Sequence, residues 1–310
     1  MANPSCILVE DYKASGGWIS AEQHMARSRA YCEMLERGQI LQFREPPFAF
    51  PLIDQEYLRN QEWTELRMHK NISYRPGEDV LRGISGDAST VQRVHSIMRN
   101  YSARVVEFVG EFLAPYREKW NLDFASFRPL EEEGRDLPPH KRNDLLHVDA
   151  FPSRPTRGGR ILRVFTNLNT TRPRVWNTAE NFEVLAQKFA KKAGLQQIAE
   201  DDSFVKRTVQ NLGAKLGLSA EGRTPYDMFM LRFHDYLKEN TAFQTNGPKT
   251  EMAFPPASTW MVFTDCVAHA VMSGQYAIEQ TFLIPPQALV AREVAPYRIL
   301  EGIAGRSLVS

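Results

Sequence analysis

His147 and Asp149 make the one His-x-Asp sequence of the chain, inside the run NDLLHVDAFPSRPTRGGRILRVFTNLN that spans 143–169. In a strand, residues two apart point to the same face. An imidazole and a carboxylate so placed can share one metal ion, but a third donor must come from elsewhere. The seven histidines can be taken in turn. His24 and His95 fall in helical patterns, His69 and His140 near loops, and His234 on a helix beside Asp235. His269 stands in FTDCVAHAVMSG, mid-strand and just ahead of a Ser-Gly turn, and is the best third donor. Two imidazoles and one carboxylate form a facial set with three open positions, which suits non-haem iron(II). Zinc accepts the same donors; an open set on a β-rich scaffold favours oxygen chemistry. Taken alone, each feature has a plainer explanation, His269 as a hydrogen-bonded core histidine and His-x-Asp as a coincidence of composition.

The elements that must position these donors follow from periodicity. A helix is expected over about 20–37, with Ser20 and Gln23 as a capping box and Gly38 as its stop. Residues 39–43 and CILVE near the N-terminus read as strands. A proline-punctuated loop covers 45–52, residues 54–70 are weakly helical, and 70–87 read as a polar loop. A long amphipathic helix follows over about 88–116, its apolar positions stepping by three and four. From Phe124 the period changes to two, giving strands at 124–130, 144–151 and 160–169, with a short one at 174–176. Helical patterns return over about 178–240, in the runs 181–194, 202–217 and 224–240. Strands resume at 250–254, 258–265, 267–272 and 276–285. This order predicts an α+β, mainly β protein: an antiparallel core with helices packed against it. It divides one domain, 1–310, into mostly helical support (1–123), a β-core (124–176 and 250–285) and a helical insertion (177–249). No Gly-rich nucleotide-binding turn stands between a strand and a helix.

Composition narrows the partners. The chain has 310 residues, a formal net charge of +1, 43% hydrophobic and 24% charged residues. No global field draws it to nucleic acid, so an acidic ligand would need a local basic patch. Cys6, Cys32 and Cys266 are odd in number and widely spaced, as expected of reduced thiols in a cytoplasmic protein. No signal peptide and no membrane-spanning run is expected.

The runs HVDAFPSRPTRGGRILRVFTNLN and WMVFTDCVAHAVMSGQYAIEQTF resemble the Kdo hydroxylase family, over most of 124–285 and extending to the N-terminal helices. The resemblance implies a double-stranded β-helix (jelly-roll, cupin-like) core. It implies iron(II), 2-oxoglutarate as cosubstrate and dioxygen, with His147, Asp149 and His269 as the iron ligands. The reaction implied is hydroxylation of 3-deoxy-D-manno-oct-2-ulosonic acid (Kdo) at its 3-position on a lipid A-linked inner core, giving D-glycero-D-talo-oct-2-ulosonic acid. 2-Oxoglutarate leaves as succinate and carbon dioxide. A cytoplasmic place, peripheral at the inner membrane, is implied with it. The alternatives are a related dioxygenase acting on a protein side chain or a small molecule, and a non-enzymatic sugar-binding β-sandwich.

One departure bears on the cosubstrate. Many such dioxygenases carry an arginine about ten residues past the distal histidine; here Glu279, Gln280 and Thr281 occupy that region. Arg160 and Arg163, on the strand after His-x-Asp, lie on opposite faces. Asn167 and Asn169 share the face of Arg163, and Asn167-Leu168-Asn169 resembles the Tyr-Leu-Asn end of this strand in relatives. On that register Arg163 faces the cosubstrate carboxylate, with Arg160 in reserve and Asn167 and Gln280 nearby. Basic residues around the motif suit an acidic sugar: Lys141, Arg142, Arg154, Arg157, Arg172 and Arg174. Of these Arg154, Arg157 and Arg174, with Gln275, are the expected substrate contacts. Lys188, Lys191 and Lys192, beside Phe182, Leu185 and Phe189, would give the insertion a membrane-facing side, though ordinary packing explains that pattern too.

Overall fold

A computed structural model describes residues 3–13, 17–19, 24–63, 67–134, 138–200 and 223–309. The capping pair Ser20 and Gln23 and the helix expected over 202–217 lie outside the described residues.

Two sheets face each other. The larger runs, in spatial order, β1 (Cys6–Leu8), β2 (Ile40–Phe43), β9 (Thr259–Phe263), β6 (Arg160–Asn167), β11 (Ala277–Ile284), β5 (Asn121–Arg128), β3 (Arg67–Arg75) and β4 (Val80–Ser85). The smaller runs β10 (Val267–Ser273), β7 (Arg174–Asn181) and β8 (Thr250–Phe254). Only the edge pair β1–β2 is parallel; the other strand pairs are antiparallel. The inner faces meet through aromatic rings. Phe165 lies 5.1 Å from Trp176, and Phe254 stacks on Trp260 at 4.0 Å between ring centres. This is the jelly-roll architecture, a double-stranded β-helix.

The outer face of the large sheet is covered by a helix because its sequence has one apolar stripe. In α3 (Ala88–Phe112), Val94, Ile97, Met98, Tyr101, Val105, Phe108, Val109 and Phe112 are all buried. Burial of a side chain of this size contributes about 1.5–3 kcal/mol. Asp87 caps the helix, accepting from the Thr90 amide at 2.8 Å. α1 (His24–Glu36) and α2 (Leu52–Arg59) complete the N-terminal support.

Several expected boundaries move. The N-terminal third is more than helical support: beside α1, α2 and α3 it gives four strands to the large sheet. Residues 70–87, expected as a polar loop, belong to the β3–β4 hairpin. Ile72 and Tyr74 are buried and alternate with half-exposed Asn71 and Ser73, a period of two that the surrounding polarity obscured. The hairpin needs Gly83: at φ +88°, an added Cβ would stand 2.3 Å from the Asn71 carbonyl oxygen. Strand β7 runs on to Asn181, so the helical insertion begins at Phe182. The described part of the insertion is α4 (Phe182–Phe189), α5 (Leu195–Glu200), α6 (Pro225–Glu239) and α7 (Thr241–Asn246); α8 (Pro296–Ala304) follows the last strand. In α4, Phe182 and Leu185 are buried and Phe189 packs on Tyr236 and Phe243. Its apolar side is therefore committed to the protein interior. Among the described residues, no helix is long and apolar enough to cross a membrane.

Candidate metal centre and its cavity

The segment expected as a strand over 144–151 is held at separate points and forms no continuous ladder. The Val271 amide donates to Asn143 O at 2.8 Å, His147 bridges to His269, and the Asp149 amide donates to Thr264 O at 2.8 Å. The backbone of Leu146 points away from β10 and finds a side chain instead. Gln244, on α7, accepts from the Leu146 amide (3.0 Å) and donates to the Leu146 carbonyl (2.9 Å). His234, on α6, donates from Nδ1 to Val148 O at 2.8 Å. Two insertion side chains thus stand in for a strand along the segment that carries His147 and Asp149, and satisfy backbone groups that burial would otherwise leave unpaired.

This brings His147, Asp149 and His269 together, each with one donor atom within 4.8 Å of the others. His147 Nε2 lies 3.7 Å from Asp149 Oδ1. Each histidine turns its other nitrogen back onto its own chain: His147 Nδ1 donates to Leu145 O (2.7 Å) and His269 Nδ1 to Val267 O (2.9 Å). A carbonyl only accepts, so Nδ1 carries the proton and Nε2 keeps its lone pair, the tautomer a metal needs. The ring of His269 also stacks on Trp176, 5.0 Å between centres.

The charges agree with that arrangement. Burial, with His269, His234 and Lys238 nearby, holds His147 well below its ordinary pKa, and burial lowers His269 as well. Burial alone would raise Asp149, but Arg163, His269 and His147 more than offset it and keep the carboxyl far below its usual range. Neutral imidazoles and an ionised carboxylate are the states that bind a divalent metal. The three donors therefore fit an iron(II) ion.

They open on a cavity of about 210 Å³ whose wall carries Arg128, Lys141, Arg163, Arg174 and Lys238 against one carboxylate, Asp149. Two of these cations, Arg128 and Arg163, share one acid on the large sheet, and Arg174 faces them from β7 of the smaller one. Glu279, in the central strand β11, takes Arg128 from β5 (2.9 Å) and Arg163 from β6 (3.0 Å). Burial works against the Glu279 carboxylate, and the two guanidinium groups more than restore it. Arg163 Nη2 also lies 3.1 Å from Asp149 Oδ2. Arg174 donates to Gly274 O at 2.9 Å and faces Glu132 at 3.6 Å; burial pushes it down to about 10. The Nε atoms of Arg163 and Arg174 are buried with no hydrogen-bond partner among the described residues. Such donors call for an acceptor.

Residues 19–307 match the family described as 3-deoxy-D-manno-oct-2-ulosonic acid (Kdo) hydroxylase. The chain belongs to the Kdo hydroxylase family. It is similar to the solved structure of the Kdo hydroxylase KdoO, a non-heme Fe(II) alphaketoglutarate-dependent dioxygenase, in complex with alphaketoglutarate and Fe(III). The identity is 30%, with 98% of this chain and 97% of that one covered and a TM-score of 0.83. The apo structure of KdoO matches at 31% identity over the same shares, with a TM-score of 0.84. The KdoO complex with succinate and Fe(III) matches at 31% and 0.83, again over 98% and 97%. No curated protein sequence matches.

In this Kdo hydroxylase family member, the residues expected at the site divide. Arg163 and Arg174 line the cavity. Arg160 does not: it is fully buried on the other face of β6, paired with Asp265 at 2.7 Å and lying over the Phe263 ring. Asn167 points along the inner face but binds carbonyls of Arg172, Phe254 and Pro255, pinning two loops. Gln280 donates to Asp123 O and Thr281 O, on the opposite face of β11 from Glu279. Gln275 is half-buried in the turn before β11, outside the cavity wall. Lys141 lines the cavity, whereas Arg142 pairs with Asp144 and Arg172 with Glu131. Arg157 is exposed, its amide bound to Asp227.

Arg154 sits in a stacked series. Arg75 and Arg154 both lie over the Phe124 ring, at 4.7 and 4.2 Å; Arg154 also lies 4.2 Å from Phe151, and Arg163 is 5.5 Å from Phe151. Arg154 pairs with Asp123 at 3.2 Å. Cation–π contacts of this kind hold the loop after Asp149 against β5. Four residues of the site escaped sequence reasoning: Arg128, His234, Lys238 and Gln244. The one available signal was the spacing of His234 and Lys238, four apart on a helix and so on one face.

Proposed function

We propose that this protein is an iron(II)- and 2-oxoglutarate-dependent hydroxylase that places oxygen on C3 of Kdo, with the lipid A-linked inner core as acceptor. His147, Asp149 and His269 hold the iron. The observation that carries the reading is the pair of Nδ1-locked, neutral histidines beside an ionised carboxylate, facing a cavity with buried guanidinium donors. Iron with 2-oxoglutarate and dioxygen supplies an oxidant able to replace C–H by C–OH.

The chain's own residues bind and orient. Arg163, with Arg128 and Arg174, receives the distal carboxylate of 2-oxoglutarate; one acid between two arginines leaves positive charge for a dianion. Glu279 spaces those arginines, and so does from the last strand what an arginine there does in other dioxygenases. Arg163 also holds Asp149 by its outer oxygen, which orients the inner one toward the metal. Phe165 and Trp176, on the inner wall, keep that end of the cavity apolar and exclude water. Arg154 and Lys141 give the mouth a positive cast suited to an acidic sugar. The glycolipid form of the acceptor, and a peripheral place at the cytoplasmic face of the inner membrane, are parts of the same proposal.

Anaerobic titration with iron(II) and 2-oxoglutarate tests it. The visible charge-transfer band of the chelate is expected in the native protein and absent in His147→Ala. A normal band in that variant overturns the ligand assignment. Mass spectrometry of Kdo-lipid A after aerobic turnover is expected to show one added oxygen on Kdo.

A further inference from the structure

The large sheet carries one half-open face past the metal cavity. In β5, buried Ala125 and Phe127 alternate with half-buried Phe124, Ser126 and Arg128. In β3, buried Ile72 and Tyr74 alternate with half-buried Asn71, Ser73 and Arg75. Tyr74 packs 5.5 Å from the His95 ring on α3. The half-buried set therefore points the other way, to the side where Asn71 and Arg128 line the cavity. Two guanidinium groups gather at the far edge of that face. Arg75 and Arg154 share the Phe124 ring, and Phe151 links Arg154 to Arg163 of the cavity. β3 stands three strands away from β6, about 14 Å across a sheet. The acids there do not match the cations. Asp123 is buried 3.2 Å from Arg154, whereas Arg75 has only exposed Glu78, at 3.5 Å, which Arg82 shares. Burial, with Arg163 and Arg75 nearby, lowers Arg154 despite Asp123. The Nε atoms of Arg75 and Arg154 are buried with no hydrogen-bond partner among the described residues.

Guanidinium donors held in this way, without acceptors, suit an anion. We infer that Arg75 and Arg154, with the Phe124 ring as the floor they share, form a second anion subsite, which takes a carboxylate or a phosphate borne by the unit attached to the reacting sugar. The inference rests on the hydroxylase reading above, in which 2-oxoglutarate occupies Arg163, Arg128 and Arg174 and the reacting ring lies against the metal. A group that reaches β3 is then part of the aglycone. Ser73 and Ser126 stand on the same face between the cavity and the arginines, and offer hydroxyls along the way. The ring suits the apolar side of a saccharide, and the guanidinium groups suit its acid. The acceptor so selected is a conjugate that carries charge beyond the sugar that reacts.

The test uses the iron(II)- and 2-oxoglutarate-loaded protein without oxygen, and three ketosides of Kdo. Each carries a flexible alkyl chain long enough to cross from β6 to β3, ending in phosphate, carboxylate or hydroxyl. At low salt the native protein is expected to bind the better of the two charged probes about tenfold more tightly than the hydroxyl probe. Added salt is expected to shrink that preference. A preference for both charged ends assigns the subsite to charge alone, and a preference for one of them names the group it reads. In Arg75→Met the preference is expected to fall below about 3-fold, with Arg75→Lys intermediate, because an ammonium keeps the charge and loses the fork. A preference undiminished in both Arg75→Met and Arg154→Met overturns the inference. So does an equal loss of all three probes in Arg75→Met, which would make Arg75 a prop for Phe124 and the loop of Arg154. Native protein that binds the three probes alike overturns it without any variant, and leaves the proposed activity standing. Native protein that binds iron and 2-oxoglutarate but none of the probes overturns the Kdo reading and this inference with it.

Discussion

His147 and His269 exchange both of their backbone hydrogen bonds: His147 N–H donates to His269 O at 3.1 Å, and His269 N–H to His147 O at 2.9 Å. The two imidazoles therefore start from directly opposed positions of one antiparallel bridge. Each then turns Nδ1 onto the carbonyl two residues before it, so the two rings are fixed by the same local device. Asp149, two residues beyond His147, completes the set.

Removal of any one of these donors should abolish iron-linked stabilisation. A ligand that binds only the folded state stabilises it by about 2.7 kcal/mol at a hundredfold excess over Kd. In His147→Ala, Asp149→Ala or His269→Ala, anaerobic thermal denaturation with and without iron(II) is expected to give the same Tm. A native-sized shift in any of them would remove that residue from the metal.

The two arginines of β6 should behave oppositely. Arg160→Leu leaves Asp265 buried and unpaired, which costs about 3–5 kcal/mol, seen in chemical denaturation. Arg163→Leu should spare stability more and raise the 2-oxoglutarate requirement at least tenfold, as should Arg128→Leu, by removing a charged hydrogen bond worth about 1.5–3 kcal/mol. Equal cosubstrate effects in Arg160→Leu and Arg163→Leu would reject the inward register of Arg163.

Gln244 is expected to matter although it touches no donor atom. Gln244→Leu unpairs both backbone groups of Leu146, at about 1–3 kcal/mol each. Outer supports of a metal ligand typically contribute about 10–100-fold in affinity. Faster hydrogen exchange at the Leu146 amide and weaker iron binding are expected together; unchanged exchange would show that Gln244 is dispensable.

The pH dependence has a defined sign. His147, His234 and His269 are all held below the ordinary value of 6.5, His234 at about 4, chiefly by burial. Below pH 6.5 the unfolded chain takes up protons that the folded chain refuses, so stability rises with pH there. The metal-free protein should keep its full contribution from these groups above about 6.5 and lose it steadily toward pH 4. Denaturation midpoints between pH 7.5 and 4.5 measure this. A midpoint independent of pH would mean the histidines are not buried as neutral rings.

How much of this was legible in the sequence varies with the range of the contact. Strand alternation placed His147 and Asp149 on one side, and a helical stripe announced α3, because both are local periodicities. The β3–β4 hairpin was hidden because its buried residues, Ile72 and Tyr74, are outnumbered by polar neighbours and β3 carries a register shift between Met68 and Ser73, opposite Gly83. Arg160 stood in reserve behind Arg163 until its partner Asp265, 105 residues away, was in view. The same holds for Glu279: a missing arginine could be read from β11, but not that Arg128 and Arg163 converge there from the two flanking strands. His234 and Gln244 act across 86 and 98 residues, distances at which spacing carries no signal.

Asp227 sits near the start of α6. One carboxylate oxygen accepts from the amides of Thr156 and Arg157, in the loop that follows Asp149; the other accepts from Thr224 at the helix cap. Helix and loop therefore share a pivot. If α6 swung outward, two amides would lose their acceptor before the cavity widened. The helix bearing His234 and Lys238 is therefore tied through Asp227 to the loop that follows Asp149. Admission falls to the rim at Lys141, which among the described residues is the one exposed part of the cavity wall. A slot entered from one end receives the tip of a saccharide more readily than its middle.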